Sequence, residues 1–446
     1  MTLFFYDLLQ PLALGLFRAA VALLRAMRID SASKLVKTLE IRTVNGRPAF
    51  ESIQIEKFLG QKPIWIHAAS GEFEYAKPVV RELHRLGRTI FVTYFSPTYK
   101  SNIESFPGVT ASCALPLEDK SQLREMIHKI RPSALLISRT DTWPNMVREC
   151  SHEKVPVLLF SATFHSGSKR IGWVGRSLTK ATYKLIDEIQ CVNDEDLALL
   201  LSLGYKRGVA RGDTRYDQVL ERLKHPKPLP EKLRADKHAR DTEGYLLTAG
   251  SVWEEDVQAL LPAIVETKNA LKTGERFSCH MVPHEISDRF SNSIKKQAQS
   301  FGLKTAILSE LESDSEFEIL IVDQIGILAE LYMLGQFAFV GGSFKKTVHS
   351  VMEPLAAGCL TFVGPFHSNN REAVEFQTEA CHSLGTSVIA ATDTAGLGSA
   401  LLSAVQQFGR MSAIERASLR ETIQNQVRAK GGATEAVLNW LKVHQT

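Results

Sequence analysis

The sequence predicts an α/β protein of two doubly wound, parallel-sheet domains preceded by an apolar N-terminal helix. Three observations carry that prediction. At 446 residues the chain exceeds what one hydrophobic core ordinarily organises. Two series of short apolar runs, alternating with amphipathic helical patterns, occupy 64–211 and 245–390, and strands alternating with helices build parallel sheets. Between them residues 224–243, KHPKPLPEKLRADKHARDTE, hold three prolines, many charges and little apolar content, the composition of a linker. The domains read from sequence are therefore an N-terminal segment 1–40, a first doubly wound domain 41–223, a linker 224–243, and a second domain 244–446 ending in helices.

Composition narrows the class. With 44% hydrophobic and 23% charged residues the chain is an ordinary globular α/β protein, and its net charge of +4 is too small to argue for nucleic acid. The excess is local, since residues 1–50 carry seven Lys/Arg against three Asp/Glu. Cys113, Cys150, Cys191, Cys279, Cys359 and Cys381 are scattered without a C-x-x-C pair, which indicates core thiols in a reducing compartment and no zinc site or disulfide framework.

Residues 3–27, LFFYDLLQPLALGLFRAAVALLRAM, form the most hydrophobic stretch. Its longest uncharged run, 8–17, is too short to span a bilayer. On a helical wheel Asp7, Arg18 and Arg25 fall within about 20° of one another, leaving a wide apolar face. Such a helix lies in a membrane interface or docks on the protein's own core. Arg25, Arg28, Lys34 and Lys37 behind it favour the membrane, because each basic residue near an anionic leaflet contributes about 1 kcal/mol.

The strands expected in the first domain lie at 64–68, 89–93, 134–138, 156–160, 188–192 and 208–211. In the second they lie at 245–249, 277–282, 304–308, 318–322, 337–340, 359–363 and 387–390. Ligands of doubly wound sheets bind at the carboxyl edge, so the loops leaving these strands are the candidate site. Ser70-Gly71-Glu72 follows the first strand and opens a helix, where the dipole favours a carboxylate; the bland reading is helix-end electrostatics, the functional one a general base. Asp141, Trp143 and Asn145 follow the strand at 134–138, where a plain turn needs only a cap. Gly212 to Asp217, GDTRYD, is either a Gly-Asp turn with a salt bridge or a substrate-facing loop.

In the second domain Ile325-Gly326 should begin a helix able to hold a phosphate. Gly341-Gly342-Ser343 ends a buried strand and brings backbone close to a ligand. Lys345, Lys346 and His349 could neutralise an acidic group, although a charged loop is more often simply solvated. A helix is expected over 349–357, stopped by Gly358. In it Ser350-x-x-Glu353 reads as a capping box, or as a carboxylate in the first turn that accepts from a ribose diol. No G-x-G-x-x-G, P-loop or H-E-x-x-H is present, so neither a dinucleotide, a Walker-type cradle nor a metal is signalled.

Together the segments HAASGE (67–72), FSPTY (95–99), TDTWPN (140–145), GDTRYD (212–217), AGSVWEED (249–256), VPHE (282–285), VDQIGILAELY (322–332), VGGSFKKTVHSVMEP (340–354) and GPFHSNNRE (364–372) resemble the bacterial 3-deoxy-D-manno-octulosonic acid (Kdo) transferases. They occur in that family's order over nearly the whole chain. The resemblance implies a GT-B fold, two Rossmann-like domains facing across a cleft, at the cytoplasmic face of the bacterial inner membrane. It implies an inverting, metal-independent transfer of Kdo from CMP-Kdo to a lipid A precursor, lipid IVA, in lipopolysaccharide inner-core synthesis.

The family's catalytic glutamate falls on Glu72 and its second acidic position on Asp141. Donor contacts fall on Ser251, Pro283, His284, Ile325, Gly326, Ile327, Gly342, Ser343, His349, Glu353, Asn369 and Glu372. The acceptor side comprises Ser70, Gly71, Trp143, Asn145 and Arg215. Departures from the pattern are a first motif one residue shorter, Asp141 in place of Glu, no arginine between Pro283 and His284, Ser350 in place of Asn, and Phe366 where a histidine is usual. Another nucleotide-sugar transferase or epimerase, or a non-catalytic sugar-nucleotide binder, would share the architecture.

Overall fold

A computed structural model describes residues 2–26, 33–165, 167–168, 172–234, 244–312, 316–381 and 384–444. The chain forms two compact units, one of Met1–Gln218 with Gly431–Thr446 and one of Val219–Lys430.

The first unit holds a seven-stranded parallel sheet of β1 (Ile64–His67), β2 (Ile90–Tyr94), β3 (Ala111–Ala114), β4 (Ala134–Ser138), β5 (Val157–Ala162), β6 (Glu188–Cys191) and β7 (Gly208–Ala210). Its order is β3-β2-β1-β4-β5-β6-β7. The central strands are buried along their whole length, as parallel strands covered on both faces must be. Alternation sends Trp65, Phe91, Leu135 and Leu159 into one core layer and Ile64, Ile66, Val92, Leu136 and Leu158 into the other. Strand β3, ASCA, has too little apolar length to stand out in the sequence and is an edge strand.

The order reverses between β1 and β4, so the topological switch point lies at their carboxyl ends, where Glu72 and Asp141 follow. The last helix, Ala433–His444, also belongs to this unit, with Val437, Trp440 and Leu441 in the Ile64 layer. The sequence reading placed it in the second domain. Asp217 fixes the return of the chain by accepting from the N–H groups of Gly432 and Thr434, both at 2.6 Å.

Helix α1 (Thr2–Ala26) is continuous through Pro11 and contains a window, Tyr6–Leu23, long and apolar enough by length and composition to cross a membrane. The expectation that the apolar run is too short counted uncharged residues only. Asp7 and Arg18 lie within the helix without ending it. Arg28 and the side chains of Arg25 and Lys34 lie outside the described residues, as do residues 235–243 of the expected linker.

The second unit is another seven-stranded parallel sheet: β8 (Gly244–Val252), β9 (Arg276–Pro283), β10 (Thr305–Ile307), β11 (Ile319–Ile321), β12 (Phe337–Val340), β13 (Leu360–Val363) and β14 (Val388–Ala390). Its order, β10-β11-β9-β8-β12-β13-β14, puts a second switch point between β8 and β12. Each strand lies where the hydrophobic pattern set it, within three residues at either end.

Candidate functional site

In the first unit the turn after β1 carries the predicted base. Glu72 stands at the N-cap of the helix Phe73–Arg85, and its Oε2 accepts from the Ser70 N–H at 3.0 Å. Two hydroxyls from other strand ends brace the turn. Ser138, the last residue of β4, donates to the Glu72 carbonyl at 2.7 Å, and Thr214, beyond β7, donates to the Tyr75 carbonyl at 2.6 Å. Thr214 is itself held by Ser161 at 3.0 Å. Ends of β1, β4, β5 and β7 are thus cross-linked around Glu72. Gly71 lies against Tyr99, whose hydroxyl would be 3.6 Å from a side-chain carbon built there. Burial, then Glu74 and Glu72, raise the Tyr99 phenol above its usual range.

The Asp141 loop starts at Arg139, which has a left-handed backbone with φ 68°. Below it His67 is fully buried, hydrogen-bonded through Nδ1 to Thr93 at 2.9 Å, with Nε2 unpartnered. Burial pushes its pKa down to about 4, against the opposing pull of Asp141.

Trp143 and Asn145 do different work from that expected. Trp143 stacks on Phe95 at 4.9 Å, and Arg42 covers Phe95 at 4.4 Å. Burial lowers the Arg42 pKa to about 10. Asn145 is completely buried; its amide donates to the Glu118 carbonyl at 2.6 Å and its oxygen accepts from Arg148 at 2.5 Å. That side chain is consumed by internal bonds. The same knot ties down α1: Tyr6 donates to Glu118 at 2.6 Å, and Asp7 pairs with Arg148 at 2.6 Å and with Lys120 at 2.5 Å. Arg215 pairs with the buried Asp213 at 2.6 Å, the salt bridge of the bland reading of the GDTRYD loop, and lies over the Tyr75 ring.

In the second unit the loop after β12 is pinned by one carboxylate. Asp256 accepts from the N–H groups of Gly342 at 2.7 Å, Trp253 at 2.9 Å and Phe344 at 3.0 Å. Burial raises its pKa even so. Gly341 packs on β8, where any side-chain carbon would lie 2.2 Å from the Ser251 carbonyl. Ser251 sits in the irregularity at the end of β8 with φ 55°.

Beside this loop stands a column that sequence patterning does not announce. The Trp253 and His284 rings stack at 4.4 Å, and the His284 and His349 rings at 4.5 Å. The Lys345 ammonium caps Trp253 at 3.3 Å. Trp253 Nε1 donates to His349 Nε2 at 3.2 Å, and Asn370 donates to the His349 carbonyl at 3.0 Å. Burial and the neighbouring His284 hold His349 below the usual histidine pKa. The only trace of this in the sequence was the motif position of Trp253 and the two histidines.

Several donor-side expectations change. The helix expected at Ile325 begins at Leu328 and has five residues, because Gly326 at φ 86° turns the chain first. Ile325 is 84% exposed, whereas Ile327 is in the core. The helix expected over 349–357 begins at Met352. No capping box closes it: Ser350 accepts from Met352 N–H at 3.3 Å, while Glu353 is bonded by Arg222 at 2.9 Å. Burial raises the Glu353 pKa, against Arg222. Arg222 also holds Glu330 at 3.1 Å, and against the upward push of burial it keeps that carboxyl below its usual range. The Ser343 hydroxyl is spent on the Val340 carbonyl at 2.8 Å. Pro283 ends β9, Asn369 is exposed, and Glu372 is buried in the first turn of Arg371–Glu375. Among the described residues no group of three or more His, Cys, Asp or Glu is placed to hold a metal ion.

Two doubly wound parallel sheets, each with polar loops at the carboxyl edge of its switch point, are the GT-B architecture that glycosyltransferases share with nucleotide-sugar epimerases. Residues 42–218 match the family of 3-deoxy-D-manno-octulosonic-acid transferases (kdotransferases). The chain is 29% identical to the 3-deoxy-D-manno-octulosonic acid transferase of Aquifex aeolicus, over 70% of this chain and 79% of that one. It is 26% identical to the enzyme of the same name from Bordetella pertussis, over 70% and 73%. Its fold is similar to that of UDP-GlcNAc 2-epimerase from Neisseria meningitidis, with a TM-score of 0.57 and 15% identity over 85% of this chain and 99% of that one. The first unit therefore carries the domain that marks the Kdo transferases, and the chain is a glycosyltransferase related to them.

Proposed function

We propose that this protein transfers Kdo from CMP-Kdo to a lipid A precursor, with inversion at the anomeric carbon and without a metal, at the cytoplasmic face of the inner membrane. The observation that carries the reading is the position of Glu72: a carboxylate at the switch point of the first sheet, on a turn braced by Ser138 and Thr214. In this reading Glu72 removes the proton from the acceptor hydroxyl as that oxygen attacks the anomeric carbon. The bond from that carbon to the CMP phosphate breaks, and CMP leaves with the electron pair. Asp141 orients or assists Glu72.

The second unit would hold the donor through the Asp256-pinned Gly341–Gly342 loop, with Lys345 and the His284–His349 pair beside its acidic groups. Helix α1 supports the membrane assignment, because Leu8, Leu12 and Leu16 are each more than 60% exposed. The test is transfer from CMP-Kdo to a tetra-acylated lipid A precursor in excess chelator, read by product mass. Wild type should be active there, and Glu72→Gln slower by about 10²–10⁴-fold while remaining folded. Activity of Glu72→Gln within a few-fold of wild type ends the base assignment, and loss of wild-type activity in chelator ends the metal-free one.

A further inference from the structure

Tyr75 lies one helical turn beyond Glu72, its N–H bonded to the Glu72 carbonyl at 3.1 Å. Two guanidinium groups stand over its ring, Arg139 at 5.2 Å and Arg215 at 4.4 Å from the centroid. Each arginine directly follows a residue that braces the turn, Ser138 for one and Thr214 for the other. Their placement relative to Glu72 is thereby fixed from three strand ends.

Neither arginine is explained by packing alone. Arg139 takes a left-handed backbone, φ 68°, that glycine would adopt without strain, so a side chain is kept there at a cost. Its Nε is buried with no hydrogen-bond partner. Arg215 is already matched by Asp213 at 2.6 Å. Two like charges on one aromatic ring repel; Asp213 offsets Arg215, and an anion beside Arg139 would offset the other. The guanidinium is the side chain whose planar fork matches carboxylate and phosphate oxygens.

We propose that Arg139 and Arg215, stacked on Tyr75, form an oxyanion-binding subsite for an acidic substituent of the acceptor, a phosphoryl or carboxylate group. The subsite anchors that substituent so that the reacting hydroxyl meets Glu72. This rests on the reading above, in which the first unit binds the acceptor and Glu72 is the base.

The experiment is steady-state transfer by the full chain, wild type against Arg139→Gly and Arg139→Lys. Glycine relieves the left-handed backbone, so Arg139→Gly should fold at least as well as wild type, checked by thermal melting. The acceptor KM should rise at least tenfold in Arg139→Gly and less in Arg139→Lys, with the CMP-Kdo KM within twofold. Inorganic phosphate or acetate should compete with the acceptor in wild type and lose at least fivefold in potency in Arg139→Gly.

Two acceptor arms separate the sources. An effect that vanishes on a dephosphorylated acceptor assigns the phosphoryl group, and one confined to an acceptor already bearing a sugar acid assigns the carboxylate. An equal effect on an acceptor with neither group overturns the subsite, as does an unchanged acceptor KM or a shift in the donor KM instead. If Glu72→Gln is inactive and Arg139→Gly normal, the subsite alone fails. If wild type transfers no Kdo or Glu72→Gln is active, the underlying reading fails.

Discussion

His67 shows how a single buried side chain sets a pH limit on the fold. It is completely buried and hydrogen-bonded to Thr93, and burial depresses its pKa to about 4 against about 6.5 for an exposed histidine. Below pH 6.5 the unfolded chain takes up a proton that the folded chain refuses, so this contribution is complete above that pH and is lost as pH falls toward 4. Some 2.5 units at 1.36 kcal/mol each is about 3 kcal/mol. Denaturant unfolding of wild type and His67→Gln at pH 7.5 and 4.5 isolates the difference from carboxylates that titrate in both proteins. Wild type should lose about 2–3 kcal/mol more than the variant over that interval, and equal losses would contradict the assignment. Glu72 and Asp141 were legible as positions because they follow apolar runs at strand ends. What their neighbours do was not legible. Asn145 looks like a ligand-facing amide until its two bonds to Glu118 and Arg148 are seen, and Glu118 is 27 residues away in sequence.

At the scale of elements, helix α1 turns Tyr6 and Asp7 toward the protein and five of its leucines outward. Tyr6 and Asp7 face Glu118, Arg148 and Lys120, Val21 is buried, and Leu8, Leu9, Leu12, Leu16 and Leu23 lie exposed on the opposite face, within an arc of about 100°. Amphipathicity alone allows either side to be turned in, with the leucines docked on the core or facing a membrane interface. The sequence supplies the apolar face, but only the buried polar knot decides which side is turned in. Asp7→Asn removes the partner of Arg148, which is 8% exposed, and a buried charge left uncompensated is costly. Because Asp7 itself is partly exposed, about 1–3 kcal/mol is expected from chemical denaturation. Adding Arg148→Met should recover part of that loss, since it removes the stranded charge. Co-sedimentation with anionic vesicles should be unchanged in both variants, because the leucine face is intact; a loss of vesicle binding would mean that the knot, rather than the leucines, makes the membrane contact.

At the scale of the molecule, both sheets were legible because parallel strands buried on two faces are written as unbroken apolar runs, and only the short edge strand β3 escaped. The chain's return was not legible, because Ala433–His444 has the pattern of any amphipathic helix and nothing local states which sheet it covers. Val437, Trp440 and Leu441 pack in the layer of Ile64, Ile66 and Leu136, and Asp217 caps the crossing with two backbone bonds. Burying three such side chains contributes roughly 5–8 kcal/mol, which is comparable to the whole stability of a domain. A chain ending at Lys430 should therefore lose the cooperative unfolding transition of the first unit while keeping that of Val219–Lys430, which retains all of its own strands. Calorimetry of the full and shortened chains reads this directly. Two transitions in the full protein should become one, and the survivor should still shift upward when CMP is added if the second unit holds the donor. A shortened chain that keeps both transitions would show that the final helix adds little to the core it covers, whatever its burial.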